Sequence, residues 1–245
     1  MLTRRVLMRR LAALGVGLPA LAAARQALAA PLAPELERRL ELCRPPQDPL
    51  LELLARNQRF SALWQDARGA DGPRQRARRL AELWQQGCQL NPAALAEGQR
   101  PWAAVLGCAD SRVAPEWLFA CGTGELFEVR TAGNTASDAG VASLEYAVAE
   151  LAVPLILVLG HSGCGAVQAA RSQAPLTPLL ADLVAPIRAA LPAGAPLAAA
   201  VRANALAVAR ALPRRSSLLA EAVAAGRLRI EAAVVEIATG RVSLA

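Results

Sequence analysis

One imidazole and two thiols stand out in this chain. His161 and Cys164 are three residues apart, and Cys108 lies fifty-three residues before the histidine. One neutral imidazole and two thiolates suit zinc, and three protein ligands leave the fourth tetrahedral position open, as in catalytic rather than structural sites. Asp110 follows Cys108 by two residues and can reach that position or a water in it. Arg112 follows by two more and can hold the carboxylate in a bidentate pair. Gly163 and Gly165 flank Cys164 and allow a tight turn there. Other readings stand at this point. A single His-x-x-Cys is a weak motif, Cys108 by itself suits an apolar core, and Asp110 with Arg112 suits a structural ion pair. Gly160-His161-Ser162-Gly163-Cys164 approaches a nucleophile elbow, but its last position is not glycine, and the only histidine sits beside the serine.

The elements that must position these residues are legible as apolar runs. Trp102–Leu106, Leu126–Val129, Leu155–Leu159 and Leu228–Val235 are strand-sized, and Ala139–Leu151 and Val201–Leu212 carry a helical period between them. Alternating runs of this kind predict an α/β fold with a central, mostly parallel sheet covered by helices. Cys108-Ala109-Asp110-Ser111-Arg112 follows the first run, Arg130-Thr131-Ala132-Gly133-Asn134 the second, and His161-Ser162-Gly163-Cys164-Gly165 the third. Chemistry in open parallel sheets collects at the carboxyl edge. The expected organisation is an N-terminal helical extension over 30–100 and an α/β metal-binding core over 101–245. In the extension, one helix opens at Pro49 and another, set off by Asp71-Gly72-Pro73, runs through Leu80, Leu83 and Trp84. Residues 171–200 carry little pattern.

Composition removes several mechanisms. All 27 basic residues are arginine, so no lysine can form a Schiff base or serve a P-loop. The single histidine excludes any two-histidine mechanism. Hydrophobic residues make up 54%, which excludes general disorder. Five cysteines with no Cys-x-x-Cys pair argue against a disulfide framework, so at least one thiol needs another role. Cys43, Cys88 and Cys121 receive none from the pattern, although Cys121, after Trp117-Leu118-Phe119, reads as a packed thiol.

Residues 1–29 read as an export signal. Arg4, Arg5, Arg9 and Arg10 precede an apolar stretch over Leu11–Ala24, then Ala27-Leu28-Ala29, and no acid occurs before Glu35. Arg4-Arg5 resembles a twin-arginine signal. The expectation is a periplasmic protein, exported by the twin-arginine translocase and cleaved near Ala29. The apolar stretch, broken by Gly15, Gly17 and Pro19, is too short for a stable membrane span. The net charge of +7 is largely the signal's, because 22 arginines against 20 acids remain without it. That leaves little support for a nucleic-acid partner.

Four ordered segments then resemble one family. Cys108-Ala109-Asp110-Ser111-Arg112-Val113, Arg130–Asn134, Ser143-Leu144-Glu145-Tyr146-Ala147 and Gly160–Ala166 are similar to the β-class carbonic anhydrases, and the resemblance runs from about residue 53 to 240. It implies zinc-dependent hydration of carbon dioxide to bicarbonate and a proton by a zinc-bound hydroxide, with one zinc per chain on Cys108, His161 and Cys164. Asp110 and Arg112 would be the catalytic dyad, with Asp110 a fourth ligand in a closed form. Gln99 would bind bicarbonate, and Phe127 would line an apolar carbon dioxide pocket. The resemblance also implies a homodimer or dimer-based oligomer embraced by the N-terminal helices. Val105 stands where some members have a tryptophan in an inhibitory bicarbonate site, and Val235 where a tyrosine is frequent. Two alternatives keep the metal. One is hydrolysis of carbon disulfide or carbonyl sulfide, and the other is a non-catalytic zinc- or bicarbonate-binding module.

Overall fold

The computed structural model describes residues 43–66, 72–85, 88 and 92–245. The segment expected to be an export signal, with Arg4, Arg5 and Ala29, lies outside them. Nine helices and five strands follow along the described chain. They are α1 (Pro49–Asp66), α2 (Gly72–Gln85), α3 (Pro92–Glu97), β1 (Ala103–Cys108), the single turn α4 (Pro115–Leu118), β2 (Leu126–Thr131), α5 (Asp138–Ala149), β3 (Leu155–His161), α6 (Gly165–Arg171), α7 (Pro178–Ala190), α8 (Leu197–Arg215), α9 (Ser217–Ala224), β4 (Arg229–Glu236) and β5 (Arg241–Leu244). The sheet order is β2-β1-β3-β4-β5, parallel throughout except for β5.

β1 and β3 are buried along their whole length, because helices cover both faces. That is why they read as unbroken apolar runs rather than alternations. Successive residues still divide between two layers. Val105, Leu157 and Val235 face a cluster shared with Leu53 and Phe60 of α1. Leu106, Ile156 and Val158 face Leu144 of α5, Leu212 of α8 and Leu219 of α9.

The boundary at residue 100 is one of pattern, not of packing. Buried Asn57 of α1 donates from Nδ2 to the carbonyls of Leu118 and Gly240, and its Oδ1 accepts from the Val242 N–H at 2.8 Å. Arg56, also buried, pairs with Glu125 at 3.1 Å. The stretch over 171–200 resolves into α7 and the start of α8; Pro178 opens α7 and Pro186 sits inside it.

Two expectations are corrected. Cys43 and Cys88 are disulfide-bonded. The five cysteines thus divide into one bridge, two thiols near His161, and Cys121. Cys121 is fully buried, and burial pushes its thiol well above the ordinary range. The apolar composition of Ala139–Leu151 implies a covered helix, yet Tyr146 within it is 49% exposed, because it lies on the outer face of α5 with its ring against Phe127.

Candidate metal centre

β1 lies between β2 and β3, so the chain leaves it in one direction and returns on its other side. Its carboxyl end is therefore the switch point where an open α/β sheet forms a crevice. Cys108 is the last residue of β1, His161 the last of β3, and Cys164 the residue before α6. The two Sγ atoms and a ring nitrogen of His161 all lie within 4.8 Å of one another, and all three residues are buried.

The imidazole is oriented for ligation. Its Nδ1 lies 3.0 Å from the Ser162 carbonyl oxygen. A carbonyl only accepts, so Nδ1 carries the hydrogen and Nε2 presents a lone pair. Nε2 is buried without a hydrogen-bond partner and 3.7 Å from Asp110 Oδ2. A buried nitrogen left bare costs free energy unless something ligates it. Two sulfurs and one such nitrogen fit a zinc ion.

The thiols are not equivalent. Cys108 is held down to about 4, chiefly because it accepts from the Cys164 thiol, with further help from His161 and the Gly133 N–H at 3.2 Å, against the cost of burial. Cys164, as the donor of that pair, is pushed up. Gly133 supplies its N–H from a φ of +70°, and a Cβ there would lie 2.6 Å from Ile187 Cδ1. Only glycine brings this peptide to the sulfur without strain.

Asp110 is fixed by its neighbour. Arg112 Nε donates to Oδ1 at 2.9 Å, Nη2 to Oδ2 at 2.6 Å, and the Arg112 N–H to Oδ1 at 3.0 Å. The Arg112 side chain holds the Asp110 carboxyl well below the usual carboxylate range. Three positioning groups were not anticipated. Arg130 donates to the carbonyls of Cys108, Asp110 and Val113, clamping the loop that carries Asp110. Gly133 is the second. Glu236, at the end of β4, accepts from Ser162 Oγ, which itself accepts from the Ile237 N–H, so the turn after His161 is tied to the neighbouring strand. The available signal was a charged residue at the carboxyl end of an otherwise apolar run.

Gln99 and Phe127 lie elsewhere in the chain. Gln99 is exposed before β1 begins, in a cavity it shares with the Cys43–Cys88 bridge, Arg100 and Trp102. Phe127 is paired in register with Ala104, four residues back from Cys108. At roughly 3.3 Å per residue that is about 13 Å from the metal edge.

Comparison with known proteins follows the same residues. The carbonic anhydrase family profile matches residues 103–242. Carbonic anhydrase 2 of Mycobacterium tuberculosis is 59% identical over 78 residues, which is 32% of this chain and 38% of that protein. The chain thus spans less than half the length of this relative. A carbonic anhydrase of Pseudomonas aeruginosa is 39% identical over 165 residues, 60% of this chain and 74% of that protein. Among solved structures, a tetrameric β-carbonic anhydrase of Sordaria macrospora aligns with a TM-score of 0.55 at 26% identity, over 62% of this chain and 84% of that one.

Proposed function

Because this chain belongs to the β-class carbonic anhydrase family, we propose that it is a zinc-dependent carbonate dehydratase, interconverting carbon dioxide and bicarbonate. One observation carries the reading. Cys108, His161 and Cys164 converge at a single sheet edge, with the unpartnered Nε2 3.7 Å from the Asp110 carboxylate. These three residues would hold the ion. Zinc in such a site acts as a Lewis acid and lowers the pKa of water.

The chain's own groups supply orientation and proton acceptance. Asp110 is ionised and acceptor-only, so it takes a hydrogen bond from a reacting water and aims its lone pair. Arg112 occupies both carboxylate oxygens and prevents Asp110 from rotating. Arg130 keeps the Asp110 backbone in place. The Gly133 N–H stabilises negative charge on Cys108.

We propose further that the site is completed between copies of the chain. Gln99 and Phe127 precede the metal edge by most of a strand, so if they bind bicarbonate and carbon dioxide they serve another copy's zinc. The tetrameric relative supports an oligomer. Export to the periplasm by a twin-arginine route is likewise a proposal. It is supported by the Cys43–Cys88 disulfide, since cytosolic thiols are kept reduced.

The test is stopped-flow carbon dioxide hydration with zinc content measured on the same sample. The expected result is one zinc per chain and hydration, both lost in His161→Ala. Full zinc occupancy in that variant would sink the assignment. Mixing inactive Gln99→Ala with inactive Cys108→Ser should restore part of the activity through hybrid oligomers. Strictly additive inactivity in verified hybrids would return Gln99 to a role outside the site.

A further inference from the structure

The Cys43–Cys88 bridge joins a residue ahead of α1 to one between α2 and α3, and it supplies no group to the metal centre. It helps to wall a cavity of about 480 Å³ together with Gln99, Arg100 and Trp102. The segment that carries Gln99 runs from Cys88 to Trp102. It has little packing of its own: among the described side chains over 92–100, only Leu95 is even half-buried. A segment of this kind is placed by what holds its two ends.

Both ends rest on one buried carboxylate, that of Glu125. Trp102 is 3% exposed; its backbone N–H donates to the Glu125 carbonyl at 3.0 Å, and its Nε1 donates to Glu125 Oε1 at 3.1 Å. Cys88 is 1% exposed and lies outside any helix or strand. Its carbonyl lies against Gly122, where a Cβ would come within 2.1 Å of the oxygen. The Gly122 N–H donates to Glu125 Oε2 at 2.6 Å, and Arg56 of α1 pairs with the same carboxylate. Three residues of chain separate Gln99 from Trp102. Held at that end alone, Gln99 could swing through roughly 10 Å, far more than a binding contact tolerates.

We propose that the Cys43–Cys88 bridge is a positioning element for Gln99: it fixes the far end of the exposed segment, so that Gln99 stays where bicarbonate meets it. This rests on the reading of Gln99 as a bicarbonate-binding residue. The cross-link works by removing alternative conformations from an otherwise open stretch of chain. It forms by thiol–disulfide exchange, in which the two thiols give up two protons and two electrons to an acceptor disulfide that leaves as a dithiol. The reduced chain keeps its zinc ligands, since neither cysteine is one of them. It holds Gln99 in place for a smaller fraction of the time, and the apparent affinity for bicarbonate falls by that fraction. Full affinity therefore belongs to an oxidising compartment.

The test uses the zinc-loaded full chain as oxidised, phosphine-reduced and reoxidised wild type, and as the double variant Cys43→Ala with Cys88→Ala. Stopped-flow dehydration of bicarbonate is measured with zinc content, sedimentation and hydrogen exchange on the same samples. Loss of the bridge should raise KM for bicarbonate about five- to tenfold and leave turnover within about twofold. One zinc per chain and the state of assembly should be unchanged. Exchange over 92–100 should quicken at least about tenfold, while β1 and β3 stay protected. Reoxidation should restore KM in the wild type and have no effect on the double variant. An unchanged KM would overturn the proposal. Loss of zinc, of assembly or of turnover alone would do so as well, since the bridge would then be a general stabiliser. If the oxidised wild type has no dehydratase activity, it is the reaction that falls, and exchange still decides the tether: equal rates over 92–100 with and without the bridge would refute it.

Discussion

His161 is the only imidazole in the chain, and both of its nitrogens are committed: Nδ1 to the Ser162 carbonyl and Nε2 to the ligand cluster. The neighbouring carboxylate therefore has to supply the acceptor. Asp110→Asn is expected to keep zinc, since the three ligands remain. It should lower hydration turnover by at least about 100-fold, because an amide offers a donor where an acceptor is required. Near-normal turnover would reduce the Asp110–Arg112 pair to a structural ion pair. A group with a depressed pKa contributes above its unfolded value and loses that contribution only as pH falls through the folded one. Asp110 therefore adds no limb to the profile between pH 5 and 9.

Glu128 behaves in the opposite sense. Burial, then the Glu116 carboxyl beside it, push it from 4.5 up to about 8, and its Oε1 is buried without a partner. Its folded pKa is above its unfolded one, so the stability tied to its protonated form is complete below about pH 4.5. It is lost as pH rises through about 8. Glu128→Gln should melt close to the wild type at pH 5 and about 2–4 °C higher at pH 9. Parallel melting curves across that range would show that Glu128 is ionised throughout.

At the scale of elements, the turn after β2 does two jobs. Ala132–Asn134 forms a 3-10 turn with Gly133 at a positive φ, one side donating to Cys108 Sγ and the other accepting from Asn204. Gly133→Ala must bear the left-handed backbone and a contact of 2.6 Å with Ile187. A loss of about 3 kcal/mol is expected, and a melting temperature about 6–12 °C lower. Zinc affinity should fall with it, because the donor to Cys108 moves. A variant that melts normally but loses zinc would separate the hydrogen bond from the strain. The element-scale pattern itself was visible in advance. The four long strands begin or end within about two residues of their apolar runs; β1 and β3 are apolar at every position because both faces are covered, whereas β2 and β4 keep enough apolar residues to mark them although they carry Glu128, Arg130 and Glu231. β5 is four residues long with a single buried side chain, so it carries no run to detect.

For the whole molecule, the proposed reaction must export a proton in each hydration cycle. The chain has no second histidine, and it has no lysine. Buffer is therefore expected to act as carrier. Turnover should rise with buffer concentration at constant pH and ionic strength and then saturate, while catalytic efficiency stays flat. Turnover independent of buffer from about one to tens of millimolar would reveal an internal route.

The chemistry of the centre was determined by the sequence: one imidazole, two cysteines and an Asp-x-Arg pair, each directly after an apolar run. Strands of a parallel sheet end at a common edge, so residues at three strand ends are brought together by topology alone. The three-dimensional fold decided what local pattern does not encode. It paired Cys43 with Cys88, a matter of distance between segments forty-five residues apart. It left Tyr146 outside, since which face of α5 is covered depends on what packs there. It assigned Arg130, Gly133 and Glu236 their positioning roles through contacts that no spacing announces. It also put Gln99 and Phe127 back along the strands from Cys108, because a strand separates its two ends by its full length, and residues close in a motif need not be close in one copy of the chain.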